Sequence, residues 1–482
     1  MAKDKIKILF CTYECAPFFK RGGLGDVALG LPRALSALGH EVKVVMPKYR
    51  YINARQHKLK IHCRNVPVAF GPKKEKIKIY RANLPKSRAV AYFIDHRIFH
   101  SANIFDKNSL RRFIFFNKCV LDFIKHDKWK PDVIHANDWH TGALFVYLRK
   151  LKKQDFWYRK IGTLHTIHNL AFQGVGVPDF EKIGLGPDDF LNKKQVNFMS
   201  EAILGADMIN TVSQTYAKEI LTKEFGRGME IFLRKREKRL HGIVNGLDKE
   251  YFNPAQDPEL PYRYSLKSIY KKKLNKAELQ KRAKLPVADV PVISIISRLA
   301  TQKGFDLILQ AMPRLLEKRD IQFVALGHGS PEITKALHAM EKKYKKRARA
   351  FTFFGPSELA KLIYAGSDIF LMPSRFEPCG LGQLISMRYG TVPVARQTGG
   401  LNDTIEDIKS KGKVKGTGFL FKAYQAPGLE KTISRALAYY KKPALWKQIQ
   451  ANGMRLDSAW PVSAEEYVKL YKKIIKKYAS RN

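Results

Sequence analysis

Ile6-Lys7-Ile8-Leu9-Phe10-Cys11-Thr12 is an apolar run of strand length. It leads to the loop Lys20-Arg21-Gly22-Gly23-Leu24-Gly25-Asp26-Val27, and a helical pattern runs from Asp26 to Leu38, closed by Gly39. A second apolar run, Glu41 to Met46, completes a β-loop-α-β unit within the first 47 residues. The same reading predicts strands at 91–95, 132–136 and 161–167. A polar, proline-containing stretch near 253–265 precedes a second series at 292–297, 321–326, 351–354, 369–372 and 392–395. Helical patterns such as Phe305 to Lys318 and Glu358 to Ala365 lie between those strands. Strand alternating with helix twice over predicts two doubly wound α/β domains, with ligands bound beyond the carboxyl ends of the strands. The tail belongs to neither series. Tyr467, Leu470, Tyr471, Ile474, Ile475 and Tyr478 recur at helical spacing after Trp460-Pro461, so a helix is expected to lay one apolar face back on the first domain. The expected divisions are 1–247, 248–458 and 459–482.

The chain has 482 residues, 45% of them hydrophobic, which supports sizeable cores and excludes disorder as the main state. Its net charge of +45 is spread in short clusters, such as 234–239, Lys271-Lys272-Lys273 and 342–347. Phosphate neutralisation by such clusters would suit nucleic acid. No zinc-finger spacing, ribonucleoprotein motif or basic zipper accompanies them, so a solvated lysine-rich surface is the preferred reading and no specific nucleic-acid partner is expected. No apolar stretch reaches the roughly 18–20 residues that cross a bilayer. Met1 runs almost directly into the first strand, so no leader is expected. The five cysteines show no C-x-x-C, which suits a reducing compartment, and a cytoplasmic location is expected.

The loops at the strand ends carry the candidate chemistry. Glycines in 20–27 would let backbone amides approach an anion, with Lys20 and Arg21 adding charge. Gly23-x-Gly25-x-x-Ala28 also imitates a dinucleotide fingerprint. Nine residues between Thr12 and Gly22 are too many for that tight turn, and the second strand ends in Met46-Pro47-Lys48 without an acid for a ribose. Asn137-Asp138-Trp139-His140 and His168-Asn169-Leu170-Ala171-Phe172-Gln173-Gly174 follow two further strands. Asp, Trp and His at a strand end supply hydrogen bonds and a flat apolar face, as a sugar ring requires, although each histidine taken singly also fits a structural role. In the second series, Arg298 and Lys303 could clamp a departing diphosphate, or could simply furnish a surface loop. Glu377 lies in Arg375-Phe376-Glu377-Pro378-Cys379-Gly380-Leu381-Gly382, and Thr398-Gly399-Gly400-Leu401 is a glycine-rich turn. Histidine and cysteine positions lack zinc-ligand spacing, and no Asp-x-Asp occurs, so neither a metal nor another cofactor is expected.

Taken together, these loops resemble the glycogen/starch synthase family of bacterial and plastid type. Its K-x-G-G-L-x-D-V, D-W-H, T-x-H-N-L-x-x-Q-G, S-R-L-x-x-Q-K-G, S-R-F-E-P-C-G-L and T-G-G-L-x-D-T motifs stand here in order. They fall at 20–27, 138–140, 166–174, 297–304, 374–381 and 398–404, with T-V-S-x-T-Y at 211–216 and V-N-G-L-D at 244–248. The resemblance implies the GT-B fold, two doubly wound Rossmann-like domains facing across a cleft. It implies a retaining glucosyltransferase that elongates an α-1,4-glucan from ADP-glucose. By motif, His168, Arg298, Lys303, Glu377 and Asp138 are the implied catalytic set. Lys20, Gly22, Gly23, Gly25, Asp26, the Asn245-Gly246 step, Cys379, Gly380, Leu381, Thr398, Gly399 and Gly400 would bind the donor. Asp138, Trp139 and His140 would bind the acceptor.

The chain departs from the family pattern at Arg21, Gly25, Asn137 and Gly382, where Thr, Ala, His and Thr or Asn are usual. Pro356 replaces the Tyr expected against the nucleotide base, which leaves UDP-glucose open as donor. A polysaccharide-binding relative without turnover is the alternative of a different class. The reaction needs only a few of the cations, so the remaining positive charge is expected either to speed donor capture or to be surface composition.

Overall fold

A computed structural model describes residues 5–353, 355–408 and 415–479. The chain divides into two compact units, 1–246 with 460–482, and 247–459. Each unit is a doubly wound α/β layer structure.

In the first unit the strands are β1 (Lys7–Cys11), β2 (Glu41–Pro47), β3 (Lys60–Phe70), β4 (Lys73–Asn83), β5 (Val90–Asp95), β6 (Val133–Asn137), β7 (Gly162–Ile167), β8 (Met208–Thr211) and β9 (Leu240–Gly242). They form one sheet in the order β3-β4-β5-β2-β1-β6-β7-β8-β9. Seven of these pair in parallel, from β5 through β9. Central strands such as β6 and β7 are buried along their whole length, as continuous apolar runs require when helices cover both faces. At the other edge, β3 and β4 form an antiparallel hairpin whose Lys-Ile-Lys-Ile alternation buries Ile77 and Ile79 and leaves Lys76 in water. That alternation contains no apolar run, and the hairpin is absent from the expected strand series. The first helix begins at Gly23, three residues before the expected Asp26, so the glycine loop ends inside its first turn.

The tail helix Trp460–Ala479 belongs to the first unit. Tyr467, Leu470, Tyr471 and Ile474 are buried in that unit's core. The Tyr471 hydroxyl lies 2.8 Å from His135 Nδ1, and Asn210 Nδ2 donates to the Tyr467 hydroxyl at 2.9 Å. Two glycines make room for the helix: a Cβ on Gly30 would lie 1.9 Å from Trp460 Nε1, and one on Gly162 would lie 2.2 Å from Ile474. The expected tail extends to 482, of which 480–482 lie outside the described residues, as does Met1.

In the second unit, β10 (Val292–Ile296), β11 (Gln322–Leu326), β12 (Ala348–Phe351), β13 (Ile369–Met372), β14 (Val392–Arg396) and β15 (Phe419–Phe421) form an all-parallel sheet in the order β12-β11-β10-β13-β14-β15. The strand expected at 351–354 is displaced to Ala348–Phe351. Alternate residues Ala348 and Ala350 are buried, whereas Phe353 is exposed in the following loop; Phe354 lies outside the described residues. Among the described residues, no helix is long and apolar enough to cross a membrane.

Candidate active site

In the first unit, the candidate groups gather beyond the carboxyl ends of β1, β6 and β7. The glycine loop does not present its amides as an open anion cradle. Glu14, buried just past β1, takes them: its Oε2 accepts from the amide of Gly22 at 2.9 Å and from that of Arg21. Burial pushes the Glu14 carboxyl up, and these backbone donors oppose the shift. None of Gly22, Gly23 and Gly25 adopts a positive φ. A Cβ at Gly25 would lie 3.0 Å from Lys20 Cγ, so the small residue there accommodates the lysine stem. Lys20 Nζ, half exposed, reaches Asp26 Oδ1 at 2.7 Å in the first turn of the helix. Sequence reasoning missed Glu14. Its signal is a lone carboxylate embedded in Thr12-Tyr13-Glu14-Cys15, directly after a buried strand.

Asp138 follows β6 with φ +54°, a left-handed conformation that costs a non-glycine residue energy. Its buried carboxylate bridges to the next strand end, Oδ1 accepting from the amides of His168 at 2.8 Å and Asn169 at 3.3 Å. Burial nevertheless dominates and pushes its pKa up to about 7. Burial also lowers His168 to about 3, so its ring is neutral near pH 7. Asn137 fixes the ring's tautomer. Its Nδ2 donates to the Cys11 carbonyl at 2.9 Å, which turns Oδ1 towards His168 Nε2 at 2.9 Å. An amide oxygen only accepts, so Nε2 carries the proton and Nδ1 keeps its lone pair.

Trp139 and His140, expected at the acceptor, pack inward against neighbouring rings. Both are buried, with the His140 ring stacked on Tyr13 at 3.9 Å and on Trp139 at 4.3 Å. A Cβ on Gly174 would lie 2.2 Å from the Trp139 ring. The apolar faces are used by the core because the loop after β7 folds over them. At the end of this unit, Asn245 is buried with its Oδ1 unpartnered among the described residues. Gly246 is held by close approach, since a Cβ there would meet the Trp460 backbone at 2.4 Å.

In the second unit, Arg298 and Lys303 flank a short turn after β10, with Gly304 at φ +77° closing it. A Cβ on Gly304 would meet the Pro373 carbonyl at 2.1 Å, which fastens this turn to the segment after β13. Lys303 Nζ lies 2.6 Å from Glu377 Oε2, and the Ser374 hydroxyl donates to the same oxygen at 3.0 Å. Arg298 is exposed and donates to Gln302 Oε1 at 3.1 Å, while Gln302 Nε2 donates to the Phe376 carbonyl at 3.3 Å. Ser374 and Gln302 hold the charged groups yet carry no functional role in the sequence reading.

The glycines of 398–400 serve chain packing as well. Gly399 has φ +43°, and a Cβ on it would lie 2.0 Å from the Glu377 carbonyl. A Cβ on Gly400 would lie 2.1 Å from the Cys379 carbonyl, and the Gly400 amide donates to the Glu377 carbonyl at 3.0 Å. Thr398 is buried beside them. Gly380 has φ +78° and sits under Gln383, whose Nε2 donates to the carbonyls of Cys379 and Gly380; Leu381 caps the helix Gly382–Arg388. Glu377, Cys379, Gly380 and the 398–400 turn thus form one rigid knot of backbone.

Comparison with known proteins agrees over the whole length. Residues 7–235 match the model of the starch synthase catalytic domain, and 277–452 match that of glycosyl transferases group 1. Glycogen synthase of Moorella thermoacetica is 42% identical over 482 residues, covering 98% of this chain and 97% of that one. Glycogen synthase of Bacillus subtilis is 39% identical over 484 residues, covering 97% and 98%. The catalytic domain of starch synthase IV from Arabidopsis thaliana, solved bound to ADP and acarbose, superposes with a TM-score of 0.91 at 32% identity, covering 98% of this chain and 100% of that one. Sucrose-phosphate synthase of Thermosynechococcus elongatus, at 18% identity and a TM-score of 0.61 over 98% of this chain and 99% of that one, shares the fold. The chain belongs to the glycogen/starch synthase family of GT-B glycosyltransferases.

Proposed function

We propose that the protein elongates an α-1,4-glucan by transferring glucose from ADP-glucose with retention of anomeric configuration. The observation that carries the reading furthest is the Lys303–Glu377 pair beside the exposed Arg298. Loss of a nucleoside diphosphate builds negative charge on phosphate oxygens, and fixed cations lower that barrier without reorganising. Arg298 and Lys303 supply those cations. Glu377, already held by Ser374 and Lys303, takes the donor glucose hydroxyls, and the 398–400 turn holds its backbone in place.

From the first unit, neutral His168 offers Nδ1 as an acceptor to a sugar hydroxyl near the reacting carbon. Asp138 keeps the His168 backbone in place, and Lys20, half exposed beside Asp26, adds a positive charge for the donor phosphates. Asn245 offers its unpartnered Oδ1 to the donor. No carboxylate is assigned as nucleophile, so the hydroxyl attacks from the face that the diphosphate leaves. The ADP bound by the Arabidopsis relative supports adenine in the donor, and Pro356 marks where a base contact differs from the family pattern.

Incubation with labelled ADP-glucose or UDP-glucose and glycogen tests the reading. Label is expected in polymer from ADP-glucose, releasable by an α-1,4-specific hydrolase. Faster incorporation from UDP-glucose would reverse the donor assignment, and no incorporation from either would leave a polysaccharide-binding relative.

A further inference from the structure

We propose that His62, Cys63 and Asp127 form a binding site for a borderline-soft divalent cation of the Zn²⁺ class, at the hairpin edge of the first unit. Consecutive strand residues normally point to opposite faces. Here β3 carries an irregularity: Ile61 pairs with Tyr80 and Cys63 with Ile79, so His62 is an extra residue between them. Cys63 therefore shares the face of buried Ile79, and the bulged His62 turns to that side, edge-on to Tyr92 at 5.1 Å and Phe123 at 6.0 Å. Asp127 ends the helix Ser109–His126 against the same face, with Oδ1 2.6 Å from His62 Nε2.

One ligand atom from each of the three residues lies within 4.8 Å of the others. An imidazole nitrogen, a thiolate and a carboxylate are the donor types that zinc takes in four-coordinate sites, with water completing the set. Lys43 Nζ lies 2.8 Å from the other oxygen, Asp127 Oδ2, and its charge also rests over the Trp129 ring at 4.4 Å. It can keep that position as an outer partner orienting the ligating carboxylate. Zinc entering and one proton leaving raise the charge of the group by one, from that of a lone carboxylate to neutral, so Lys43 then faces a neutral centre and not another cation. Binding converts the Cys63 thiol to a metal-bound thiolate and releases its proton to water. Adjacent ligands from one strand and an aspartate 64 residues onward make no recognisable spacing, so the group escapes a motif search.

The cysteine inventory gives a clean test. Cys11, Cys15, Cys119 and Cys379 are buried, and Cys63 is the one partly exposed thiol. A chromogenic disulfide reagent should label a single thiol in the folded full-length protein, and none in Cys63→Ser. Equimolar Zn²⁺ is expected to slow that labelling clearly, because the reacting thiolate is then held by the metal. Co²⁺ should give a thiolate charge-transfer band in the wild type and none in Cys63→Ser. In the His62→Gln, Asp127→Asn double variant the labelling should continue undiminished by Zn²⁺. Labelling of the wild type unaffected by Zn²⁺ overturns the proposal. So does equal protection in the double variant, which would reduce the effect to a thiol binding metal alone.

Discussion

The two units prepare their candidate groups by opposite means. In the first, Asp138 is buried and His168 partly so, and desolvation holds the histidine neutral and drives the aspartate towards protonation. Precision there comes from backbone amides, an oriented Asn137 and a strained turn. In the second, Arg298 is exposed while Glu377 is buried against Lys303, and precision comes from that ion pair and a glycine-fastened loop. A neutral sugar is suited by the first arrangement, and a departing diphosphate by the second. The contrast yields tests in which each half should respond to a different variable.

The largest effect is expected in the charged half. Glu377→Ala and Lys303→Met should each lower kcat by about 10²–10³-fold, the size seen when a fixed electrostatic group is removed from a transition state. Lys303→Met also strands a mostly buried carboxylate, so a stability loss of about 3 kcal/mol should accompany it. Steady-state kinetics beside urea unfolding separates the two. Near-wild-type turnover in either variant would take the pair out of the reaction.

The buried half should betray itself through pH. Asp138 titrates near 7 in the folded state against an ordinary 3.8, so the folded protein retains a proton that the unfolded chain has lost. Its contribution therefore makes stability fall as pH rises from about 4 to about 7. Asp138→Asn should remove that slope in denaturation midpoints while lowering kcat by about 10²-fold, because the His168 amide loses its charged acceptor. An unchanged slope would place the proton elsewhere.

Much of the fold was legible because the parallel strands are continuous apolar runs, and glycines such as Gly39 punctuate them. The hairpin of β3 and β4 was not: β4 alternates lysine and isoleucine and forms no run, and the short apolar stretch Val66–Phe70 of the edge strand β3 is broken by Pro67. In the site, the family resemblance assigned Lys303 and Glu377 to the donor, but spacing could not show that Ser374 also holds Glu377, or that Glu14 occupies amides of the glycine loop. Nor could it show which faces of Trp139 and His140 are covered, because covering depends on Tyr13 and Gly174, distant in sequence.

A smaller effect should convert the neutral half into a titrating one. Asn137→Asp places a carboxylate on His168 Nε2, which stabilises the imidazolium and raises its pKa from about 3. Below that new pKa, Nδ1 gains a proton and can no longer accept from a sugar. The variant should lose about tenfold in kcat towards low pH, across about pH 5 to 9, on a limb that the wild type lacks. Asn137→Ser should lower activity without adding the limb. A limb in both variants would assign it to another group.

The smallest effect is expected from most of the +45 charge. At physiological salt the Debye length is about 8 Å, so only cations near bound phosphate act at full strength. Lys342, Lys345 and Lys346 are exposed in one dense cluster on the second unit, the unit that also holds Arg298. Replacing all three by glutamine should change the donor KM by less than about twofold at that ionic strength, and more at about 0.01 M, where screening extends to about 30 Å. Arg298→Gln should raise the donor KM at both. Triple-variant and Arg298→Gln curves that coincide across salt would move bulk charge into donor binding, and a salt-independent KM in the wild type would confine binding to the few fixed cations.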